Sequence, residues 1–160
     1  MKQMSGLLVS LLVAGGAITA RAQQQDQSFL LNLHTIGSSG PAVRAARDFM
    51  KREGERTEAK WSKIKDGFLA EFDQNESAVM DFYDQRGNWR FSVRTYGENR
   101  LPENIRRLVR GTYFEYSISW VKQVNGLDGY SYVVHIENPA AWKEVIVRDG
   151  EMTVWKAFDK

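Results

Sequence analysis

The chain of 160 residues contains no cysteine, and this absence removes several kinds of protein from consideration. No disulfide can form, so the hydrophobic core alone has to stabilise the fold. A cysteine nucleophile, a zinc site built on cysteine pairs and a lipid anchor on an N-terminal cysteine are excluded for the same reason. The length suits one compact domain, and 42% of the residues are hydrophobic and available for its core.

Histidine is almost as scarce, which argues against a hydrolase. His34 lies in a polar leader, and His135 lies at a solvent-facing position of a predicted strand. No serine stands in a Gly-x-Ser-x-Gly elbow, and neither a His-x-x-x-His pair nor a calcium-binding Asp-x-Asp-x-Asp-Gly loop occurs. Asp81 and Asp84 lie close together, but acidic residues near turns usually bind their own backbone. We therefore expect no enzyme, no metal site and no cofactor.

The chain also has no excess of positive charge once residues 1–22 are left out of the count. Lys2 is followed by an apolar run at residues 7–18 and by small residues around residues 20–22, a pattern typical of a signal peptide. We predict cleavage near Ala22/Gln23, export to the periplasm or beyond, and no membrane span in the mature chain; an uncleaved anchor is the alternative. Residues 1–22 hold two basic and no acidic residues, so 20 of each remain. A neutral chain argues against nucleic-acid binding.

Two amphipathic helices are predicted. Pro41 opens the first, which runs to about Glu53 with apolar residues at helical spacing. Pro102 and Glu103 open the second, which ends near Gly111. Arginines in and before the second helix form the densest positive patch, and we interpret it as a solvated helix face rather than an anion site. They are Arg100, Arg106, Arg107 and Arg110.

Strands are predicted over most of the remaining chain. Residues 78–96 form a hairpin in which apolar residues alternate on both sides of a turn at Gly87-Asn88. Residues 145–158 repeat this pattern around Asp149-Gly150. Further strands are predicted at residues 61–65, 67–73, 114–120, 130–136 and 142–148.

These elements predict an α+β domain at residues 41–160, after a flexible leader at residues 23–40. The domain divides into two similar halves, residues 41–97 and 101–158, each with a helix followed by strands and a closing hairpin. Strands grouped after each helix favour an antiparallel sheet with helices packed on one face. We interpret the repeated order as an internal duplication.

The pattern of aromatic residues and turns resembles a known family over about residues 41–158. The features that carry the resemblance are Trp61, Phe68-Leu69-Ala70-Glu71-Phe72, Phe82-Tyr83-Asp84, Gly87-Asn88-Trp89, Leu101-Pro102, Tyr130-Ser131-Tyr132-Val133-Val134 and Asp149-Gly150. Together they resemble the exported PepSY-like proteins of Bacteroidetes-type bacteria, which are related in fold to the beta-lactamase inhibitor protein. The resemblance implies helices on one face of an antiparallel sheet, no catalytic residues, and a role in binding or inhibiting other proteins, peptidases among them.

Alternation along the strands separates predicted core residues from a candidate interface. The predicted core residues are Met80, Phe82, Trp89, Phe91, Val93 and Trp120. The candidate interface consists of Ser92, Arg94, Tyr96, Trp142 and Trp155. Trp, Tyr and Arg are the residue types that dominate protein-binding hot spots, which favours such an interface.

The sequence therefore predicts a non-enzymatic, exported binding module. Its partner is an unknown protein or peptide, with a peptidase as one candidate, and it would be held on the open face of the sheet. The alternative is a periplasmic protein that binds a small molecule or a cation between the helices and the sheet.

Overall fold

The computed structural model of the chain describes residues 34–54 and 57–160. The predicted signal peptide and the leader as far as residue 33 lie outside the described residues. The end of the leader is not simply extended, because residues 34–36 form a turn of helix and Ile36 is buried. No helix within the described ranges is long and apolar enough to cross a membrane.

Both predicted helices are present. Helix α1 spans Gly40–Glu53, and Ser39 caps it by accepting a hydrogen bond from the backbone N–H of Ala42 at 3.4 Å. Helix α2 spans Glu103–Thr112 and follows a short 3-10 helix at Glu98–Arg100. The proline near the start of each helix therefore predicted its position to within a residue or two.

Eight strands form one antiparallel sheet in which each strand pairs with its neighbours in sequence. They are β1 (Lys60–Ile64), β2 (Gly67–Gln74), β3 (Ser77–Asp84), β4 (Trp89–Tyr96), β5 (Ser117–Gly126), β6 (Gly129–Glu137), β7 (Ala141–Arg148) and β8 (Glu151–Asp159). The predicted antiparallel sheet is thus confirmed. With two helices of 14 and 10 residues beside eight strands, the described chain is mainly β, and the predicted α+β class understated the share of strand.

One hydrophobic cluster joins α1 to the first half of the sheet. Ala42, Ala45 and Phe49 of the helix are completely buried. They belong to a cluster with Trp61, Phe68, Phe72, Val79 and Tyr83 of β1, β2 and β3. Aromatic rings meet edge to face at its centre, with 5.4 Å between the ring centroids of Phe49 and Trp61.

A second cluster joins α2 to the other half. Ile105 and Val109 of the helix are buried in a cluster with Tyr96, Val121, Val134, Ile136, Val145 and Val147 of the sheet. Val79 of the first cluster pairs with Arg94, two residues before Tyr96 of the second. Positions two apart on a strand point to the same side. Both helices therefore pack on one side of the sheet, which we call the covered face, and the other side is the open face.

The central hairpin has the predicted strands, but its faces are exchanged. Phe82 pairs with Phe91, and Met80 pairs with Val93. All four lie on the open face, and Phe91 is 36% exposed, so the prediction that they form the core was wrong. The residues between them on β3 (Val79, Asp81 and Tyr83) are buried on the covered face. Both sets of β3 positions are largely apolar, so alternation alone could not choose between them.

Two β-bulges decide on which face of the sheet Trp89 and Trp120 lie. The alternation had assigned both tryptophans to the core. Tyr83 pairs with Trp89 while Phe82 pairs with Phe91, so Arg90 is an extra residue in β4. The bulge puts Trp89 on the covered face against the first cluster, where the core prediction for it is confirmed. A second shift of register, at Ser119, makes Trp120 pair with His135 on the open face. The core prediction for Trp120 was wrong.

Candidate functional site

Four stacked rings cross the open face from β5 to β8, and we call them the aromatic row. The ring of His135 lies 4.8 Å from Trp120 and 5.3 Å from Trp142, with interplanar angles of 14° and 28°. The ring of Trp142 lies 6.0 Å from that of Phe158 at 22°. Cross-strand pairing produces this order, because Trp120 is opposite His135 and Trp142 is opposite Phe158.

Charged side chains lie beside the aromatic row. Lys156 Nζ is 3.4 Å from Glu144 Oε2, and Glu144 Oε1 is 3.9 Å from Nδ1 of His135. Lys122 Nζ lies 5.0 Å from the ring centroid of Trp120, within cation–π distance. The Nδ1 atom of His135 is buried without a hydrogen-bond partner among the described residues. The row therefore combines apolar rings with ionisable groups, as interface cores and their rims do.

Two of the five predicted interface residues lie in or beside this row. Trp142 is one of its four rings and is half-buried. Trp155 is 55% exposed and is the extra residue at a β-bulge in the edge strand β8. Lys156 Nζ lies 4.0 Å from the centroid of its ring. His135 lies on the open face, as the alternation predicted, but the prediction that it faces solvent was wrong, because the neighbouring indoles leave only 15% of its side chain exposed.

The other three predicted interface residues face the opposite way. Tyr96 is buried in the second cluster and donates its hydroxyl to Gln123 Oε1 at 2.8 Å. Burial raises the pKa of Tyr96 to about 12. Arg94 and Ser92 lie on the covered face, where Arg94 Nη2 donates to Gln74 Oε1 at 2.6 Å. The assignment of these three residues to the open face was wrong, because the helices cover the side of the hairpin that carries them.

Ser92 and Arg94 line a small polar cleft on the covered face. The cleft has a volume of about 150 Å³. Its lining residues are Arg52, Glu53, Val79, Ser92, Arg94, Gln123, Asn125 and Tyr130. Ser92 also donates a hydrogen bond to Asp81 and accepts one from Trp89 Nε1 at 3.1 Å. It therefore links the cleft to a carboxylate that has no exposed surface.

Asp81 is a fully buried carboxyl group. Its Oδ2 atom is buried without a hydrogen-bond partner among the described residues. Burial raises the pKa of Asp81, although the Ser92 hydrogen bond opposes the shift. The pKa of Asp84, three residues later, is shifted in the opposite direction. Hydrogen bonds within the turn lower it, and the bond donated by the backbone N–H of Asn88 contributes most. Asp84 thus uses its carboxylate to hold its own turn, as the sequence predicted.

We expect Asp81→Asn and Asp84→Asn to change stability with opposite dependence on pH. The native Asp81 binds its proton more tightly than the unfolded chain does, so the contribution of Asp81 to wild-type stability falls as pH rises above about 4, and Asn removes this loss. The stability of Asp81→Asn relative to wild type should therefore rise toward neutral pH, by about 1.4 kcal/mol per unit of raised pKa. Asp84→Asn should instead lose stability relative to wild type as pH rises toward about 4 and keep that deficit at higher pH, because the pKa of Asp84 is lowered and its ionised form stabilises the fold.

Urea unfolding at several pH values between about 2 and 7 measures both differences. The two variants control for each other, since each removes one carboxylate from β3 without changing its size. Parallel profiles for the two variants would contradict the assigned pKa directions.

The arginine patch is largely used within the protein. Arg110 donates to both carboxylate oxygens of Glu98, at 2.7 and 2.8 Å. Arg106 donates to the backbone carbonyls of Glu98 and Leu101 at 3.1 Å, and Arg100 donates to the Ser77 hydroxyl at 2.7 Å. These contacts favour the interpretation of the patch as a helix face rather than an anion site, although several of its arginines bind groups of the protein instead of being solvated alone. Within residues 34–54 and 57–160, no group of three or more acidic or histidine side chains is arranged to hold a metal ion.

Comparison with solved structures identifies the fold. No family model matches the chain, and a search of curated proteins finds no match. A DUF2874 family protein from Bacteroides ovatus aligns with a TM-score of 0.62 at 15% identity, covering 77% of this chain and 89% of its own. A BLIP-like protein from Bacteroides fragilis aligns with a TM-score of 0.58 at 16% identity, covering 72% and 84%. A protein from Bacteroides eggerthii, named provisionally as periplasmic, aligns with a TM-score of 0.58 at 12% identity, covering 72% of this chain and 86% of its own.

This chain therefore shares the fold of a BLIP-like protein from Bacteroides. At such low identity the similarity establishes the fold alone, and the function has to be inferred from the site.

Most of the aromatic row was missed by sequence reasoning. Trp120 was assigned to the core, His135 to bare solvent, and Phe158 to no role. Their order on the face depends on the register of four strands and on the bulge at Ser119. The available signal was an aromatic residue or histidine in each of four consecutive strands, but no sequence pattern indicated that these residues were neighbours.

Proposed function

We propose that this protein is a non-enzymatic, exported binding module that holds a partner protein or peptide on its open face. The aromatic row is the observation that carries the proposal. Its rings reach solvent, with Phe158 57% exposed, and neither helix α1 nor helix α2 packs over them. Rings that are already stacked lose little freedom on binding, and tryptophan is the residue type most enriched in hot spots.

The fold neighbours support binding in the cell envelope. One is named BLIP-like, and another is named provisionally as a periplasmic protein. Together with the predicted signal peptide, these names favour an exported module over a cytoplasmic enzyme. We propose a peptidase as the class of partner, restrained by occupation of its surface. The PepSY-like assignment and the internal duplication stay predictions.

Trp142→Ala is expected to weaken partner binding by about thirtyfold, the loss that corresponds to a hot spot of about 2 kcal/mol. Trp142 lies within the row and contacts rings on both sides, so its removal breaks the apolar surface at its middle. The full chain is immobilised and exposed to native envelope extract, the captured protein is identified by mass spectrometry, and its Kd is measured for wild type and variant. For a peptidase, the inhibition constant is the second readout.

Phe158→Ala and Phe114→Ala complete the design. Phe158 is exposed, so its loss should weaken binding without endangering the fold. Phe114 is 80% exposed but lies between α2 and β5, outside the row, and its loss should leave the Kd unchanged. Equal affinity of wild type and a folded Trp142→Ala variant would overturn the proposal, as would capture of no protein by the wild type.

The polar cleft is the observation that favours a small-molecule function instead. It places two arginines and a glutamate near the buried Asp81. Its volume of about 150 Å³ is, however, below the roughly 300 Å³ at which ligand pockets usually begin. The exposed aromatic row therefore supports protein binding better than this polar cleft supports a small ligand. Stabilisation of the protein by a metabolite or a metal ion in a thermal-shift screen would favour the alternative.

A further inference from the structure

An apolar cleft of about 640 Å³ opens on the sheet at the opposite end from the aromatic row. The turns β1–β2, β3–β4 and β5–β6 meet at this end of the antiparallel sheet. Phe82 and Phe91 form one wall, with their rings stacked at 4.4 Å and 18°. Val124 and the 72% exposed Leu127 extend this apolar surface. A partner group bound in the cleft would remove this aromatic pair from contact with water.

Carboxylates at the rim of the cleft define the charge of that occupant. Asp66, Asp84 and Asp128 line the cleft, against a single cation, Arg90. Asp84 is ionised at neutral pH because the hydrogen bonds of its turn lower its pKa. In the described part of the chain, neither Asp66 nor Asp128 has an ion pair. The cleft therefore combines an apolar floor with an excess of negative charge, three carboxylates against one guanidinium.

An arginine side chain satisfies both features at once. Its planar guanidinium stacks on aromatic faces and is weakly hydrated, while its donors bind carboxylates. A purely apolar side chain would leave the carboxylates without a cation, and an acidic side chain would be repelled by them. We propose that this cleft receives an arginine side chain of the partner protein. The inference rests on the proposed function, since the cleft lies on the same open face as the aromatic row.

The probe for this site is Nα-acetyl-arginine methylamide, with the citrulline analogue as an uncharged control of nearly the same shape. Titration of the full chain, followed by amide NMR shifts, should show the arginine probe moving signals of Phe91, Leu127 and Asp128. We expect the citrulline probe to bind several-fold more weakly and the arginine affinity to fall with added salt. The double variant Asp66→Asn/Asp128→Asn should weaken arginine binding by about three- to tenfold.

Asp149→Asn is the matched control. Asp149 is an exposed acidic residue in the β7–β8 turn, at the same end of the sheet but outside the cleft, where it lies 3.5 Å from Arg148. Its loss should leave the titration unchanged. Equal binding of the two probes, no shift at the cleft, or an unaffected double variant would overturn the inference.

The outcomes separate the two proposals. If a partner is captured in a Trp142-dependent manner but the arginine probe does not bind, only the cleft assignment fails. If the probe binds as expected but capture does not depend on Trp142, the proposed function of the aromatic row fails.

Discussion

Phe49→Ala is expected to lower the free energy of unfolding by about 3–5 kcal/mol, the usual cost of removing a fully buried phenylalanine. Phe49 has no exposed surface, and its ring meets Trp61 and Phe72 edge to face at 5.4 and 5.2 Å. These contacts are among those that attach α1 to the sheet. Truncation leaves a cavity lined by rings that cannot collapse into it, because each ring is also packed against other residues of the cluster.

Equilibrium unfolding in urea measures this loss, with Phe114→Ala as the control. Phe114 is the same residue type but is 80% exposed, so its truncation should change stability by no more than about 0.5 kcal/mol. A loss below about 1 kcal/mol for Phe49→Ala would contradict the placement of α1 over the first half of the sheet. Domains of this size have about 5–15 kcal/mol of stability, so the expected loss is a large share of the total.

Gly87→Ala is expected to destabilise the fold by more than about 3 kcal/mol. Gly87 has a φ of 79°, a left-handed conformation that costs an alanine about 1–2 kcal/mol. A Cβ at this position would also overlap the backbone carbonyl oxygen of Pro41, and it would lie 2.9 Å from the carbonyl carbon and 3.1 Å from the backbone nitrogen of Ala45. These are backbone atoms of the first turns of α1, so the helix or the hairpin would have to move.

Gly150→Ala separates the clash from the conformational strain. Gly150 occupies the turn of the second hairpin with a φ of 82°, and a Cβ there would meet nothing within 4 Å. Its replacement should therefore cost only the left-handed strain of about 1–2 kcal/mol. The difference between the two variants measures how closely α1 approaches the β3–β4 turn. Equal losses would show that Gly87 is needed for its φ alone.

The elements of this fold could be predicted because their signals are local. Pro41 and Pro102 mark the starts of the helices, and turn pairs such as Asp149-Gly150 mark the hairpins. Alternation located the strands, and grouping of strands after each helix favoured the antiparallel sheet that the structure has. The α+β class was less accurate, since strands outweigh helices in the described part of the chain.

The candidate site could be predicted only in part, because the pattern of apolar residues does not say which face of the sheet is covered. Met80 and Phe82 alternate with Val79 and Tyr83 on β3, so both sides of that strand are apolar. Which side becomes core depends on where α1 packs, and alternation does not contain that information. Trp142 was placed at the interface for its residue type, whereas Tyr96 was placed there from an exchanged face and is buried.

The sequence by itself determined the strands, the helices and the absence of cysteine chemistry, because turn geometry, helix starts and composition are properties of neighbouring residues. Only the tertiary structure decided which face of the sheet is open and which residues meet on it. Trp120, His135, Trp142 and Phe158 come from four strands, and the register of those strands aligns their rings. The bulge at Ser119 shifts the pairing of β5 with β6 by one residue, the bulge at Arg90 does the same for β3 and β4, and a shift of one residue exchanges the faces.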